Sequence, residues 1–461
     1  MSQQRIKKVP KQVQSMPVLR PNAAGVDIGS REIWIAIPGD RDEQPVRRFS
    51  TFTADLHRAA DWLQARGIET VAMESTGVYW IPFFQILEDR GIEPCLVNAH
   101  HVKNVPGRKT DVKDCQWLQF LHSVGLLSAS FRPHQEICAL RALERHRDSW
   151  VQMAATHVQH MQKALDQMNL QLHHVISDIT GQTGLAIVDA ILSGERNPQK
   201  LAQNRDRRIK ADAETIAQAL VGDYREELLF TLKQAVQTWR HYQQQLAEAD
   251  QQIRHLMQKL ETLLEPAAPQ AAASEPDAPR KRGRPRGSNT ADAQMQRELH
   301  RIFGVDLTAV PGLEVATVRI LLSEVGVDFS AFPNSPAFCS WLTLCPNKSI
   351  SGGKTLSSRT RKSKNRLARA LRLSAQALHF SHSALGGWYR RIKGRLGPAQ
   401  ANTAGAHKLA RIIFHMITTK QAYSDELLNQ QNQQHSRRRE AYIRKQAQAI
   451  GYTLVPIAAK A

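Results

Sequence analysis

The alternation of apolar and polar residues predicts a mixed sheet with helices on its faces in the first part of the chain. From Ala23, the runs AAGVDI, REIWIAI and PVRRFSTF alternate as strands do, and short polar turns separate them, which predicts an antiparallel meander. Helical spacing follows near residues 54–65, in IPFFQILEDRG and in DVKDCQWLQFLHSVG, with the strand-like runs ETVAME and EPCLVNA between them. The predicted order over residues 21–132 is therefore β-β-β-α-β-α-β-α, after a basic arm at residues 1–20.

The next region, residues 133–265, has the spacing of long helices. Apolar residues recur in steps of three and four, as in the seam of a coiled coil, at Leu232, Ala235, Trp239, Tyr242, Leu246, Ala249, Ile253, Leu256, Leu260 and Leu263. A weaker partner stripe consists of Trp150, Ala154, Met161 and Met168. The seam fits an intramolecular antiparallel helix pair or a dimer interface, and the pattern does not choose between them.

Residues 266–297 are predicted to be a linker, because Pro, Ala, Ser and charged residues dominate and leave too little apolar surface for a core. Arg282 and Arg284 lie in an Arg-Gly-Arg-Pro sequence that resembles an AT-hook, in which an extended Arg-Gly-Arg enters a narrow A·T minor groove. A generic basic linker explains the same residues equally well.

A second globular part, mostly helical, is predicted at residues 298–425, with a basic and partly helical tail at residues 426–461. The sequence LTAVPGLEVATVRILLSEVG places a Pro-Gly turn before an apolar helix that ends at a glycine. This pattern is typical of a helix-hairpin-helix element, whose amides suit backbone phosphates, although an ordinary capped helix has the same signals. The predicted fold class is α/β followed by α.

The charge of the chain points to a polyanionic partner. The 461 residues include 62 Lys and Arg against 42 Asp and Glu, a formal net charge of +20, which favours nucleic acid over a merely soluble basic surface. Five scattered cysteines without a CxxC pair argue against a disulfide framework or a zinc site. We find no secretion signal and no apolar run that could span a bilayer, so we expect a cytoplasmic protein, associated with nucleoid DNA if the source is bacterial.

Four acidic residues are the first candidates for chemistry. Asp27 and Glu74 each end an apolar, strand-like run, and Asp111 and Asp114 lie three apart on one face of a predicted helix. Each has an ordinary explanation as a turn residue, a solvated strand end, an N-cap or a dipole partner. Together they occupy the places where a ribonuclease-H-like sheet gathers metal ligands, since ligand sites collect where strands end.

Such carboxylates suit two Mg²⁺ ions that clamp the attacking and leaving oxygens of a phosphoryl transfer. Lys109 and Lys113, with Lys103 and Arg108, crowd the same segment and could hold the scissile strand. His100 and His101 lie nearby and are better explained as exposed loop residues than as groups that orient water or DNA.

Ser351 in SISGGKT is the second chemical candidate. Two glycines follow it, so backbone amides can approach a phosphate closely, and no histidine base is adjacent. A dense run of cations comes next, at Lys354, Arg359, Arg361, Lys362, Lys364, Arg366, Arg369 and Arg372. Taken alone, the sequence fits a Gly/Ser loop on a basic phosphate-binding surface, and it lacks the glycine spacing of a Walker loop.

These segments resemble a known family. GVDIGS, MESTGVYW, KTDVKDCQWL, SDITGQTGLAIVDAILSGER, VPGLEVATVRILLSEVG and SGGKT with its basic helix are similar to the DEDD transposases of bacterial insertion sequences, recombinases that are guided by a bridge RNA. The resemblance covers nearly the whole chain, in the order RuvC-like domain, coiled coil and serine-bearing transposase domain. The Arg/Pro-rich linker departs from the minimal pattern.

The resemblance implies a mechanism and a set of partners. Asp27, Glu74, Asp111 and Asp114 would hold two Mg²⁺ ions, for which Mn²⁺ can substitute, and Ser351 would form a covalent phosphoserine link to DNA, with Ser349 as the nearest competitor. The acids and the serine would form one composite site, with different subunits as possible contributors. The protein would act on double-stranded donor and target DNA and bind a bridge RNA that pairs with both. It would assemble as a dimer or tetramer through its coiled coil.

Three other functions are consistent with parts of the sequence. A RuvC-like endonuclease or junction resolvase would need the acids but not Ser351, because a metal-bound water would hydrolyse the phosphodiester. An actin-like sugar or acetate kinase would use GVDIGS as a phosphate loop, but no second Gly-rich phosphate motif is present. A nucleic-acid-binding regulator with a vestigial site would need only the positive charge.

Overall fold

The computed structural model describes residues 16–75, 77–97, 111–260, 290–449 and 451–452, and only the backbone for residues 111–113, 290–292 and several between 427 and 439. The chain forms two units, one ending at Arg132 and the other beginning at Pro133. The six-part division of the chain that the sequence suggests remains a prediction.

A five-stranded mixed sheet forms the centre of the first unit. Its strands are β1 (Ala23–Ile28), β2 (Glu32–Ala36), β3 (Val46–Ser50), β4 (Thr70–Glu74) and β5 (Glu93–Val97). They lie in the order β3-β2-β1-β4-β5, with β1 antiparallel to β2, β2 antiparallel to β3, and β1, β4 and β5 parallel. The sequence prediction of an antiparallel meander followed by alternating helices and strands is confirmed.

Among the described residues of this unit, three helices cover the two faces of the sheet: α1 (Thr53–Ala65), α2 (Trp80–Asp89) and α3 (Asp111–Ser123). The first two share one core with the sheet, in which Val26 of β1 and Met73 of β4 pack with Leu63 and Phe83. The opposite face packs on α3, where Ala72 and Leu118 belong to a separate small core. Since successive strand residues face opposite sides, Gly25, Asp27 and Glu74 point to the α3 face.

The second unit begins with two long helices, α4 (Gln135–Gln167) and α9 (Glu226–Lys259), joined by the short helices α5 (Leu172–Val175), α6 (Gln182–Leu192), α7 (Pro198–Ala202) and α8 (Ala213–Ala219). The long helices run antiparallel: Arg147 contacts Asp250 at 2.7 Å, and the rings of Trp150 and Tyr242 lie 5.3 Å apart. The seam predicted on α9 thus packs against a partner within the same chain.

In the rest of the second unit, the long elements that the structure describes are helices, with one hairpin among them. Its helices are α10 (Thr290–Phe303), α11 (Val315–Glu324), α12 (Ser335–Trp341), α13 (Arg366–Ala377), α14 (Ala384–Leu396), α15 (Pro398–Thr419) and α16 (Glu426–Ala449), and β6 (Ser349–Ser351) pairs antiparallel with β7 (Lys354–Ser357). A Pro-Gly turn precedes α11 as predicted, and Gly312 there approaches the carbonyl of Ser374 in α13. Among the helices described, each is too short or too polar to cross a bilayer.

Close packing at Gly25 gives a direct test of the first unit. A Cβ at this position would lie 2.2 Å from the amide nitrogen of Gln119 and 2.4 Å from the carbonyl oxygen of Cys115, both in the backbone of α3. We expect Gly25→Ala to push α3 off the sheet and to destabilise the unit by about 3 kcal/mol, the upper range for overpacking. Hydrogen exchange of the α3 amides in the full-length protein measures this.

Gly39 is the matched control, because a Cβ there would meet nothing within 4 Å. Gly39→Ala should leave α3 as protected as in the wild type. Equal protection of α3 in the Gly25→Ala protein would contradict the packing described here.

Candidate active site

Two of the four candidate acids lie side by side at the end of two parallel strands. Val26 of β1 is paired in register with Met73 of β4, so the next residues, Asp27 and Glu74, are neighbours across the strands. Adjacent strands are about 4.8 Å apart, and both side chains are on the α3 face. Both residues are partly buried. The sheet thus brings two carboxylates together at the C-terminal ends of its parallel strands.

The direction of α3 brings the other two acids to the same edge. Cys115 and Gln119 of α3 lie over Gly25, and His122, at the far end of the helix, binds Thr70 at the start of β4. The helix therefore runs antiparallel to β1 and β4, and its first turn lies where those strands end. Asp111 begins this helix and Asp114 follows in the first turn.

An electrostatic effect on Cys115 supports the approach of Asp27 and Asp114. Burial raises the pKa of the Cys115 thiol to about 12, and the negative charges of both carboxylates add to this rise. The two acids, one from the sheet and one from the helix, therefore act on the same buried thiol. Asp27, Glu74 and Asp114 all make further interactions in the protein.

A buried histidine fastens the other end of α3. The imidazole of His122 has no exposed surface, its Nδ1 lies 3.1 Å from Arg20 Nη1, and its Nε2 lies 2.9 Å from Thr70 Oγ1. Because arginine can only donate, Nδ1 accepts, and the proton of the neutral ring is on Nε2 and is donated to Thr70. Burial, with the charge of Arg20, lowers the pKa of His122 to about 4.

The ligand chemistry at this edge suits a hard divalent cation, because every candidate donor is a carboxylate oxygen. Among the side chains that the structure describes, no three His, Cys, Asp or Glu residues are arranged as a metal-holding group. The side chain of Asp111, the fourth candidate, is outside that description, as is that of Lys113. The candidate acids therefore fit a divalent cation by the type of their donor atoms and by their common location at one edge of the sheet.

Ser351 lies in the second unit, at the last position of β6, and is exposed. The two glycines after it have positive φ angles of 54° and 75°, so they form a two-residue hairpin turn of type I′. Ser351 is paired across the strands with Lys354, which places a cation beside the hydroxyl. Ser349 begins the same strand, two residues earlier and on the same face.

The cations from Lys354 to Arg366, in and after the hairpin, divide into an exposed group and a partly buried residue, Arg366. Lys354, Arg359, Arg361, Lys362 and Lys364 are exposed, and Arg361 also donates to the carbonyl of Ser340 at 3.2 Å.

Arg366 is partly buried and is held by two carboxylates. Its guanidinium donates to Glu324 Oε1 at 2.9 Å and also binds Asp148. Burial would raise the pKa of Glu324, but Arg145, Arg141 and Arg366 outweigh it and lower that pKa. Arg366 therefore stabilises a buried carboxylate.

Several predicted binding residues lie outside the described part of the chain: Lys109 with its neighbours Lys103, Arg108, His100 and His101, and the linker residues Arg282 and Arg284. Sequence reasoning missed two residues that position the acids, Gly25 and His122. A glycine inside the buried strand AAGVDI is itself a signal for close backbone approach. His122 gave no comparable signal, because its partners are distant in sequence.

Two family models match the chain. One, for a DEDD transposase of the IS110 type, matches residues 24–170, and the other, described as a transposase of the IS116/IS110/IS902 family, matches residues 306–386. The first covers the sheet, α3 and the acids, and the second covers the Ser351 hairpin. A search of curated proteins gives no match. The chain therefore belongs to the IS110 family of DEDD transposases and is a DNA transposase.

Proposed function

We propose that this transposase cuts and rejoins the DNA of an insertion sequence through metal ions held by Asp27, Glu74, Asp111 and Asp114, with Ser351 as the nucleophile. The observation that carries the acid site is that the sheet and α3 bring Asp27, Glu74 and the first turn of α3 to one edge. On this proposal the first unit has a ribonuclease-H or RuvC-like fold, in agreement with its five-stranded mixed sheet.

The acids would hold the divalent ions on which DEDD domains typically depend, and an all-oxygen donor set favours Mg²⁺ or Mn²⁺. When bound, two such ions would stabilise the negative charge on the phosphate and lower the pKa of an attacking hydroxyl. The protein's part is to fix the donors: β1 and β4 hold Asp27 and Glu74, and the contact at Gly25 holds α3 over them.

Ser351 would attack a phosphorus atom of the DNA backbone. A bond forms between its Oγ and the phosphorus, one phosphodiester P–O bond breaks, the serine loses its proton and the DNA oxygen that leaves takes one up. The covalent phosphoserine preserves a phosphodiester linkage, so attack by another DNA hydroxyl reseals the strand without ATP. Lys354, paired with Ser351, and the exposed cations beyond it would hold the backbone in place.

The choice of sites would come from a bridge RNA that pairs with donor and target DNA, while the protein binds backbone and shape. The formal charge of +20 supports binding of nucleic acid. Assembly as a dimer or tetramer belongs to the same proposal. Since the α9 seam packs against α4 within the chain, such an interface would use the outer surface of this helix pair. On this proposal the protein would act in the cytoplasm, on the DNA of the nucleoid.

Replacement of the nucleophile tests the proposal. Ser351→Ala should abolish the covalent protein–DNA adduct and strand exchange, because no other group would supply the bond to phosphorus. The measurement uses the full-length protein with its co-purifying RNA and labelled DNA from the ends of its own element, resolved on a denaturing gel.

Ser349→Ala is the control, because Ser349 is also exposed on the same strand, and it should keep the adduct. If Ser351→Ala still cuts DNA while Asp27→Asn does not, the chain hydrolyses DNA as a RuvC-like endonuclease or resolvase does, and the serine mechanism is wrong.

The two groups of cations predict different effects of charge removal. Lys364→Gln should weaken nucleic-acid binding and reduce the slope of log K against log salt by about 1, because one phosphate contact is lost. Arg366→Gln should instead destabilise the protein by about 1–3 kcal/mol, because it removes a partner from buried Glu324. Fluorescence anisotropy with a labelled duplex at several salt concentrations and thermal unfolding measure the two effects.

A salt slope reduced equally by both substitutions, with unchanged thermal stability for Arg366→Gln, would mean that Arg366 binds nucleic acid and that its ion pairs contribute little.

A further inference from the structure

Two aromatic side chains are exposed at the edge of the sheet where the candidate acids lie. Phe52 is 79% exposed and Tyr79 is 50% exposed. Among the described residues of the first unit, every other Phe and Trp is buried or partly buried. Single exposed apolar residues are ordinary on a protein surface, but here both exposed rings belong to one edge. This edge therefore differs from the rest of the surface that the structure describes for this unit.

The strand directions place both rings at this edge. β3 is antiparallel to β2, and β2 is antiparallel to β1, so β3 runs in the same direction as β1 and β4. Phe52 follows the end of β3 by two residues, and Tyr79 follows Glu74, the end of β4, by five. In the strand order β3-β2-β1-β4, Phe52 comes first, then Asp27, then Glu74 with Tyr79. A nucleic-acid strand that lies along this edge would pass the acids and an aromatic ring.

The turn that carries Tyr79 is anchored by the residue after it. α2 connects β4 to the parallel strand β5, so its first residue, Trp80, lies at the same edge. Trp80 packs against the core, its ring centroid lies 5.4 Å from that of Phe84, and its Nε1 donates to the carbonyl of Gly77 at 3.2 Å. These contacts do not use the Tyr79 side chain. The turn is thus held in place while the ring of Tyr79 faces outward.

One edge of the Tyr79 ring rests against the turn. A Cβ added at Gly77 would lie 3.6 Å from both Cδ2 and Cε2 of Tyr79, so the glycine and this edge of the ring are neighbours. Half of the side chain is still exposed, and the ring therefore presents apolar aromatic surface to solvent from a fixed position. Such a surface suits a nucleobase, since every base has a π-face that can stack on an aromatic ring.

The neighbouring chemistry identifies the base as an unpaired base of DNA. The chain belongs to a family of DNA transposases, and on the proposed mechanism the acids hold a DNA phosphate. In a duplex the faces of the bases are covered by their neighbours, so a protein ring can stack only on a base that has left the helix. An exchange of strands separates base pairs next to the phosphate that is cut. Unpaired DNA bases would therefore be present at this edge during the reaction.

We propose that Tyr79 stacks on an unpaired base of the DNA strand whose phosphate lies at the acids, and thereby fixes the position of that strand along the edge. The location of the phosphate rests on the proposed function, whereas the stacking of a DNA base on Tyr79 does not. Stacking alone does not distinguish DNA from RNA, and the DNA substrate of the family is what favours DNA.

Photocrosslinking to 5-iodouracil tests the stacking, because this base reacts on irradiation with an aromatic ring that it contacts. Full-length protein with its co-purifying RNA, carrying Ser351→Ala in every arm, is mixed with a short single strand of thymidine that contains one 5-iodouracil. Mass spectrometry of the digested protein identifies the crosslinked residue. We expect a crosslink at Tyr79, and its loss when the strand is paired with a matching adenosine strand. A crosslink at Tyr79 from a uridine strand but not from the thymidine strand would overturn the proposal in favour of RNA.

Strands with and without bases separate stacking from phosphate binding. Tyr79→Leu keeps an apolar side chain but removes the ring, and it should weaken binding of the thymidine strand at least about fivefold, the lower limit for one stacked base. Binding of an abasic strand of the same length should be unchanged. Tyr79→Trp, which keeps an aromatic ring, should bind both strands as the parent protein does. Fluorescence anisotropy with labelled strands measures these affinities.

Phe230→Leu is the matched control, because Phe230 is also an exposed ring, 64% exposed, but lies on α9 in the second unit. It should leave both affinities unchanged, and thermal unfolding checks that each variant is folded. The proposal is wrong if no crosslink maps to Tyr79, if the crosslink persists with the paired strand, or if Tyr79→Leu weakens binding of the abasic strand as much as that of the thymidine strand. An equal loss of affinity in Phe230→Leu would also contradict it.

These measurements need neither a cut strand nor a serine adduct. Their outcome is therefore independent of the Ser351 adduct experiment, and failure of either proposal is seen separately.

Discussion

The backbone contact between α3 and β1 at Gly25 is the constraint on which the candidate active site depends. A helix can lie this close to a strand only where no Cβ intervenes, and a Cβ added at Gly25 would meet the α3 backbone at 2.2 Å. This contact sets both the height of α3 above the sheet and its position along β1. Asp27 is two residues beyond Gly25 on the same face, so the register that permits the packing also fixes the distance from Asp27 to the first turn of α3.

The buried contacts of His122 extend this constraint to the other end of the helix. With Arg20 and Thr70 on its two ring nitrogens, the imidazole ties α3 to the start of β4 and to the segment before β1. The neutral ring is maintained by burial, which lowers its pKa to about 4. Helix direction and helix position are therefore fixed by separate contacts, one polar and one steric, and the acids at the opposite end have a rigid support.

The sequence predicted the elements of the first unit well, because period-two alternation and helical spacing are local signals. It also predicted that Asp27 and Glu74 lie at strand ends: Glu74 is the last residue of β4 and Asp27 is the last but one of β1. Their pairing in register is a property of the sheet. The sequence could not decide which helix closes the α9 seam, because a seam pattern does not specify its partner. Nor could the sequence show that Lys364 is exposed whereas Arg366 is paired with a carboxylate. The partner of Arg366, Glu324, is 42 residues away, and the tertiary fold brings the two together.

Metal loading of the full-length protein tests most directly whether the acids form one site. Electron paramagnetic resonance with Mn²⁺ should detect two ions per chain with the spin coupling expected for a separation of about 3.5–4 Å. Asp27→Asn and Glu74→Gln should each remove the coupled signal, while Asp89→Asn, at the end of α2, should retain it. A protein that binds no Mn²⁺, or whose coupled signal survives Asp27→Asn, would contradict the account.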